Sequence, residues 1–151
     1  MKKNDEFELN ITGVGKDGEG IGHFEGMTFF VTGALPGDVV RAHVTKLKKT
    51  YGYARIGKII KPSPDRVEPP CPVSDRCGGC SLMNLSYKAQ LRMKEEMVED
   101  DLVRIGGFDR DFIEQIKEPV SGMSDPLYYR NKAQIPVGQL PDGRIIMGFW
   151  I

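Results

Sequence analysis

The stretch "MTFFVTGALPGDVVRAHVTKL", Met27 to Leu47, decides the fold. It holds two runs rich in β-branched and aromatic residues, Met27–Thr32 and Val39–Leu47, around the turn pair Pro36-Gly37. Neither run has a helical period, so both read as strands joined by a tight connection. Upstream, "FELNI" alternates apolar and polar through Phe7, Leu9 and Ile11, the pattern of a half-buried strand. Between them "GKDGEGIGHFEG", Gly15 to Gly26, is dense in glycine and acid and reads as turn and loop. Downstream, "YGYARIGKII", Tyr51 to Ile60, supplies the last strand. Five short strands are expected between Glu6 and Pro62, four of them located in these runs, and they predict a small closed barrel of the OB type, because closure removes the edges of so small a sheet.

The charge of the chain balances overall, with 21 Lys and Arg against 21 Asp and Glu, but not locally. Met1–Arg66 holds 11 basic and 8 acidic residues, whereas Val67–Ile151 holds 10 and 13. Within Arg41–Lys61 seven residues are basic and none is acidic. A basic strip in a neutral protein points to a polyanion touched by one face, or to a strand pair kept soluble by its lysines. Lys46, Lys48, Lys49, Arg55 and Lys58 fall on two neighbouring strands, with Tyr51 and Tyr53 between them. Cations neutralise phosphates while aromatic faces stack unpaired bases. Tyr53 could equally fill the barrel core, and Phe29, Phe30 and Val31 are assigned to core and partial cover.

No apolar run approaches the length of a membrane span, and "MKKNDEFELN" has no apolar signal region. The protein is expected in the cytoplasm, a reducing setting in which clustered cysteines favour metal over disulfide. All three cysteines lie in "CPVSDRCGGC": Cys71, Cys77 and Cys80. A tetrahedral metal or a cubane cluster wants four ligands. Zinc with one histidine would have to recruit His23 or His43, neither at ligand spacing. A thioredoxin-like pair would leave Cys71 unexplained, and the spacing is not that of a radical-SAM site. An iron–sulfur centre, a zinc site and three unligated thiols stay open on spacing alone.

"KPSPDRVEPPCPV", Lys61 to Val73, has five prolines in thirteen residues and predicts an extended linker into the cysteine loop. Ser86 is the expected N-cap of a helix from Tyr87 to Ile105, stopped by Gly106-Gly107. Tyr87, Leu91, Val98, Leu102 and Ile105 share one face, and the run Glu95, Glu96, Glu99, Asp100, Asp101 reads as a solvated face. "YYRNKAQIPVGQLPDGRIIMGFWI" predicts a hairpin, Tyr128–Val137 and Arg144–Trp150, turning at Pro141-Asp142-Gly143. Arg130 and Lys132 would share a face of its first strand. The chain is expected to be the front of something longer.

"ITGVGKDGEGIG" with "GALPGDVVRAHVTKLKKTYGYARI" resembles a TRAM domain, the small RNA-binding barrel. "CPVSDRCGGCSLMNLSYKAQLRMKEEMVEDDLVRIGG" resembles the iron–sulfur motif and following helix of the RNA uracil-C5 methyltransferases, and "YRNKAQIPVG" and "GFW" resemble the opening of their central domain. The branch most similar is that of the 23S rRNA enzymes with an N-terminal TRAM domain. Met83 stands where many members have Gln, and "GFW" where "GFY" is usual.

The resemblance implies a mostly β chain with one long helix in four parts. These are a TRAM barrel at 1–62, a proline-rich linker and iron–sulfur loop at 63–85, a helix at 86–107, and the truncated start of an α+β central domain at 108–151. It implies a [4Fe–4S] cluster on Cys71, Cys77 and Cys80, with a fourth ligand beyond the chain end. It implies RNA, specifically 23S rRNA, as partner of Lys46, Lys48, Lys49, Tyr51, Arg55, Lys58, Arg130 and Lys132, in a monomeric protein. The family's chemistry adds a cysteine thiolate to C6 of uracil, moves a methyl group from S-adenosylmethionine to C5, and removes the C5 proton with a base so that elimination of the thiolate frees the enzyme. The nucleophile, the base and the Rossmann-like domain that binds S-adenosylmethionine are expected outside this chain, which should bind RNA without methylating it. A free-standing RNA-binding adaptor with a structural metal loop is the competing expectation.

Overall fold

The computed structural model describes residues 1–74, 77 and 79–148, in two units, Met1–Leu85 and Ser86–Ile151. In the first unit five strands follow one another: β1 (Glu6–Val14), β2 (Gly20–Phe24), β3 (Met27–Thr32), β4 (Val39–Leu47) and β5 (Tyr51–Lys61). They close into a barrel in the order β1-β2-β3-β5-β4. Only β3 and β5 run parallel. The β1–β4 ladder, from Glu6 opposite His43 to Asn10 opposite Val39, completes the circuit. Leu9, Ile11, Phe29, Val31, Val40 and Val44 fill the interior. Phe7 closes one side of it, with ring centroids 4.4 Å from Phe24 and 4.8 Å from Phe29.

The glycine-rich segment is loop only as far as Glu19; from Gly20 it is a strand. The sequence hides this because the inward positions of β2 carry glycine where a strand usually shows an apolar side chain. A Cβ built on Gly22 would lie 2.5 Å from the Asn10 carbonyl oxygen and 2.8 Å from Leu9 Cγ. Here glycine lets two backbones approach across a narrow barrel, a use distinct from making a turn. Gly52 of β5 does the same against Phe29, whose Cε1 would be 2.5 Å from an added Cβ.

The segment after the barrel is not a free linker. Asp38, 1% exposed, anchors it. Its carboxylate accepts from the Leu35 and Ser63 amides, each at 2.8 Å, and from Arg66 Nε at 3.2 Å and Arg66 Nη2. Arg66 Nη2 also donates to the Gly33 carbonyl at 3.0 Å, as does Asn84 Nδ2 at 3.3 Å. Val67 and Asn84 join through a backbone hydrogen bond of 2.9 Å. Both ends of the cysteine segment are thereby fastened to the barrel by groups that need partners once buried. Burial pushes the Asp38 carboxyl up, but Arg66 and the two amides more than offset this and hold it below the usual aspartate value.

In the second unit α1 (Tyr87–Arg104) begins at Ser86, whose hydroxyl accepts from the Ala89 amide at 3.4 Å. It ends before Gly107, which takes a left-handed φ of 71°. Its apolar stripe is only partly covered: Leu91 and Leu102 are half-buried, while Val98 and Ile105 are exposed. The acidic run is not simply solvated. A short helix the sequence reading did not anticipate, α2 (Arg110–Ile116), starts at Asp109, whose carboxylate accepts from the amides of Asp111 and Phe112. Lys117, just after α2, pairs with Glu95, Glu99 and Glu114 at 3.7, 2.7 and 3.0 Å. The hydrogen bonds that the Lys117 ammonium donates to Glu99 and Glu114 push its pKa up. Arg110 takes Glu99 and Asp100.

The expected hairpin shrinks to β6 (Val137–Gln139) and β7 (Ile145–Met147), around the predicted turn, where Gly143 has φ 87°. Tyr128–Pro136 is irregular, with Tyr128 at φ 54° and 97% exposed. Among the described residues no further strand pairs with this ladder, and two strands alone are marginal in water. The Phe149–Trp150 end of the expected strand lies outside the described residues. No helix among those described is long and apolar enough to cross a membrane.

Candidate nucleic-acid interface

Period-two alternation sends half of each barrel strand outward, and the registers set those residues in rows. One row crosses four strands: Ile21 of β2 opposite Phe30 of β3, Phe30 opposite Tyr53 of β5, and Tyr53 opposite Lys46 of β4. In the next row Thr28 faces Tyr51. Three rings meet where these rows adjoin. Phe30 lies 5.9 Å from Tyr51 and 5.7 Å from Tyr53, and the two tyrosines are 5.6 Å apart. Tyr53 is 37% exposed, and Phe30 and Tyr51 are half-buried. The barrel-core alternative for Tyr53 is therefore wrong, and of the residues assigned to core and partial cover Phe30 is the cover. With Phe29 and Val31 both fully buried, alternation obliges Phe30 to point outward, a signal that was legible in the sequence.

The cations divide. Lys46 flanks Tyr53 directly, and Lys48 and Lys49 are exposed in the turn that joins β4 to β5, closed by the Lys48 amide on the Tyr51 carbonyl at 2.8 Å. Arg55 and Lys58 lie in rows that β1 completes with acids. Arg55 faces His43, which faces Glu6, and Lys58 faces Arg41, which faces Glu8. Barrel closure thus sets carboxylates near the far half of a strip that contains none in sequence. His43 Nδ1 and Glu6 Oε1 are 3.3 Å apart. The net positive end of the face is Lys46, Lys48 and Lys49, beside the rings. Arg130 and Lys132 belong to the second unit and lie in irregular chain, so the strand face they were expected to share does not form.

On the other flank of the rings stands the acidic loop before β2. Tyr51, partial burial, Glu19 and Asp17 together push the Tyr53 hydroxyl's pKa up, so it remains a neutral donor at physiological pH. The same loop walls a cleft of about 900 Å³ whose other side includes Glu68, Cys77, Cys80 and Met83. Cys71 and Cys77 are half-buried, Cys80 is exposed, and all are free thiols. Among the described residues no three His, Cys, Asp or Glu side chains gather closely enough to hold a metal ion. The three thiols do not converge on one point in this structure.

Residues 2–56 match the TRAM domain family. Over 150 residues the chain is 45% identical to an uncharacterized RNA methyltransferase of Clostridium tetani, covering 99% of this chain and 31% of that protein. It is 45% identical over 150 residues to another of Halalkalibacterium halodurans, covering 99% and 32%. Among solved structures, the Pyrococcus abyssi tRNA (uracil-54, C5)-methyltransferase in complex with S-adenosyl-L-homocysteine is 30% identical, with 67% of this chain and 22% of that one covered and a TM-score of 0.40. The chain spans about a third of the length of the curated relatives it matches.

Proposed function

From a chain that carries a TRAM domain and is homologous to the N-terminal third of RNA methyltransferases, we propose the RNA-holding front part of an S-adenosylmethionine-dependent uracil-C5 methyltransferase acting on 23S rRNA. The observation that carries the RNA-binding part is the ring triad with Lys46 across the ladder and Lys48 and Lys49 beside it. Rings of this kind stack unpaired bases, and adjacent ammonium groups neutralise the phosphates. Methyl transfer is assigned to parts of the longer relatives that this chain does not span, and the chain alone is expected to be inactive.

The test is a salt titration with a short single-stranded RNA. For single strands the slope of log K against log salt is about −0.7 per phosphate neutralised, so three lysines contribute about −2. Lys46→Ala, Lys48→Ala and Lys49→Ala combined are expected to flatten the slope by about that amount, while Lys58→Ala, in a row shared with Glu8, changes it less. Absence of RNA binding, or a slope indifferent to the three lysines, rules the reading out.

Within this reading Cys71, Cys77 and Cys80 are assigned to a [4Fe–4S] cluster completed by a fourth thiolate outside this chain. Three thiols within ten residues support it. After anaerobic reconstitution and gel filtration, this chain is expected to retain less than one four-iron cluster per molecule and a full-length homologue one, lost on replacing the homologue's counterpart of Cys77 by Ser. A homologue that carries zinc, or no iron, removes the assignment.

A further inference from the structure

We infer that the ring platform selects an unpaired guanine, whose Watson–Crick edge is read by the Glu19 carboxylate. This rests on the RNA-binding reading above and narrows it. The platform is asymmetric in charge. Along its central row the cation is Lys46 on β4, while the opposite flank carries Glu19, immediately before β2. Lys46 and Phe30 sit two ladder steps apart, roughly 10 Å, comparable with the reach of one nucleotide from base to phosphate. A nucleotide laid across the rings with its phosphate on the lysines therefore turns the far edge of its base toward the acid.

Glu19 is held where that edge falls. A Cβ built on Gly15 would lie 2.8 Å from Glu19 Oε2 and 3.5 Å from Phe30 Cδ1, so one point touches both the carboxylate and the ring edge. Its backbone is fixed there, since the Glu19 carbonyl accepts from the Gly15 amide at 2.7 Å. Among the described residues no side chain hydrogen-bonds to or pairs with the Glu19 carboxylate, and the loop's other acid, Asp17, also acts on Tyr53.

An ionised carboxylate only accepts. Guanine alone among the four bases offers two adjacent donors on its Watson–Crick edge, N1–H and the N2 amine. Adenine and cytosine set a ring-nitrogen acceptor beside their amine, and uracil flanks its one N–H with two carbonyls that a carboxylate repels. A duplex is excluded, because its bases have neither a free face for the rings nor a free edge for the acid.

The experiment measures binding of the whole chain to an all-uridine octamer and to the same octamer with one central guanosine, inosine or adenosine. The guanosine form is expected to bind about fivefold or more tighter than all-uridine, the low end of what a bidentate base contact discriminates. Inosine, which lacks the N2 amine, loses most of that gain, and adenosine gains only from stacking. Glu19→Gln brings the guanosine-to-uridine ratio toward one with an unchanged thermal melt, whereas Glu96→Gln in the second unit keeps it. Equal binding of guanosine and uridine oligomers overturns the inference and leaves RNA binding standing. A preference that survives Glu19→Gln overturns the role of Glu19, and failure of every oligomer to bind overturns both readings.

Discussion

Replacing Arg66 with alanine is expected to lower the melting temperature of the barrel unit by roughly 12–24 °C. The estimate follows from the cost of breaking a buried pair, about 3 kcal/mol or more, and from the few degrees that each kcal/mol is worth in a unit of this size. Asp38 has no exposed side-chain surface and Arg66 has 18%, so removing the arginine strands a charge that solvent cannot reach. Two backbone amides remain on the carboxylate, which places the loss near the low end of the range for such pairs. Asp38→Asn is expected to do similar damage although its shape is conserved. The Leu35 and Ser63 amides donate to different oxygens of Asp38, and an asparagine can offer an acceptor to only one of them. The double variant Asp38→Ala/Arg66→Ala should lose less than the sum of the singles, because neither partner is left alone.

The same pair fixes an acid limit. The Asp38 carboxyl lies below its ordinary value of 3.8 in the folded chain, so the unfolded state binds its proton first as pH falls. Its contribution is fully present above that ordinary value and is lost as pH drops through the lower, folded one. Removing Arg66 takes away the largest of the lowering influences and should move the acid limb of the unfolding curve to higher pH. Urea unfolding of both chains between neutral pH and pH 3 measures this; an identical acid limb for Arg66→Ala and the parent chain shows that the pair contributes nothing. The undocked cysteine segment should also be cut faster by protease than the barrel strands.

What the sequence made legible follows local rules. Alternation in Phe7–Ile11 and in the two runs around Pro36-Gly37 exposes three of the strands, and Ser86 with Gly106-Gly107 brackets the helix. What stayed hidden depends on pairing between distant residues. β2 was missed because Gly20 and Gly22 answer to Ala34 and Leu9 across the barrel, neighbours that no window of sequence contains. The basic strip looked uniform because Glu6 and Glu8 come beside Arg41 and His43 only through closure. Asp38 follows the turn pair Pro36-Gly37 with no local sign of its role, because its partner Arg66 is 28 positions away. The hairpin was overextended for the opposite reason: Ala133, Ile135 and Val137 do fall at period two, but a strand also needs a neighbour.

Gly22→Ala and Gly52→Ala should both destabilise the barrel, by about 3 kcal/mol, the upper end of the usual cost of overpacking, and they should differ in whether they can be rescued. At Gly52 the added methyl meets Phe29 Cε1 at 2.5 Å, Phe29 Cδ1 at 2.8 Å and Leu47 Cδ2 at 3.1 Å. All are side-chain atoms, so Phe29→Leu makes room, and the double variant should be more stable than the two single losses summed by about 1 kcal/mol or more. At Gly22 the nearest atom is the Asn10 carbonyl oxygen at 2.5 Å, part of the β1 backbone and beyond the reach of any side-chain substitution. Leu9→Ala should therefore add its own core cavity, about 2–5 kcal/mol, and recover little. Thermal melts of the four single and two double variants decide the matter. Rescue at Gly52 without rescue at Gly22 means that β2 is held against β1 by backbone contact. Equal rescue at both sites means that side chains, not the approach of the two backbones, reserve these positions for glycine.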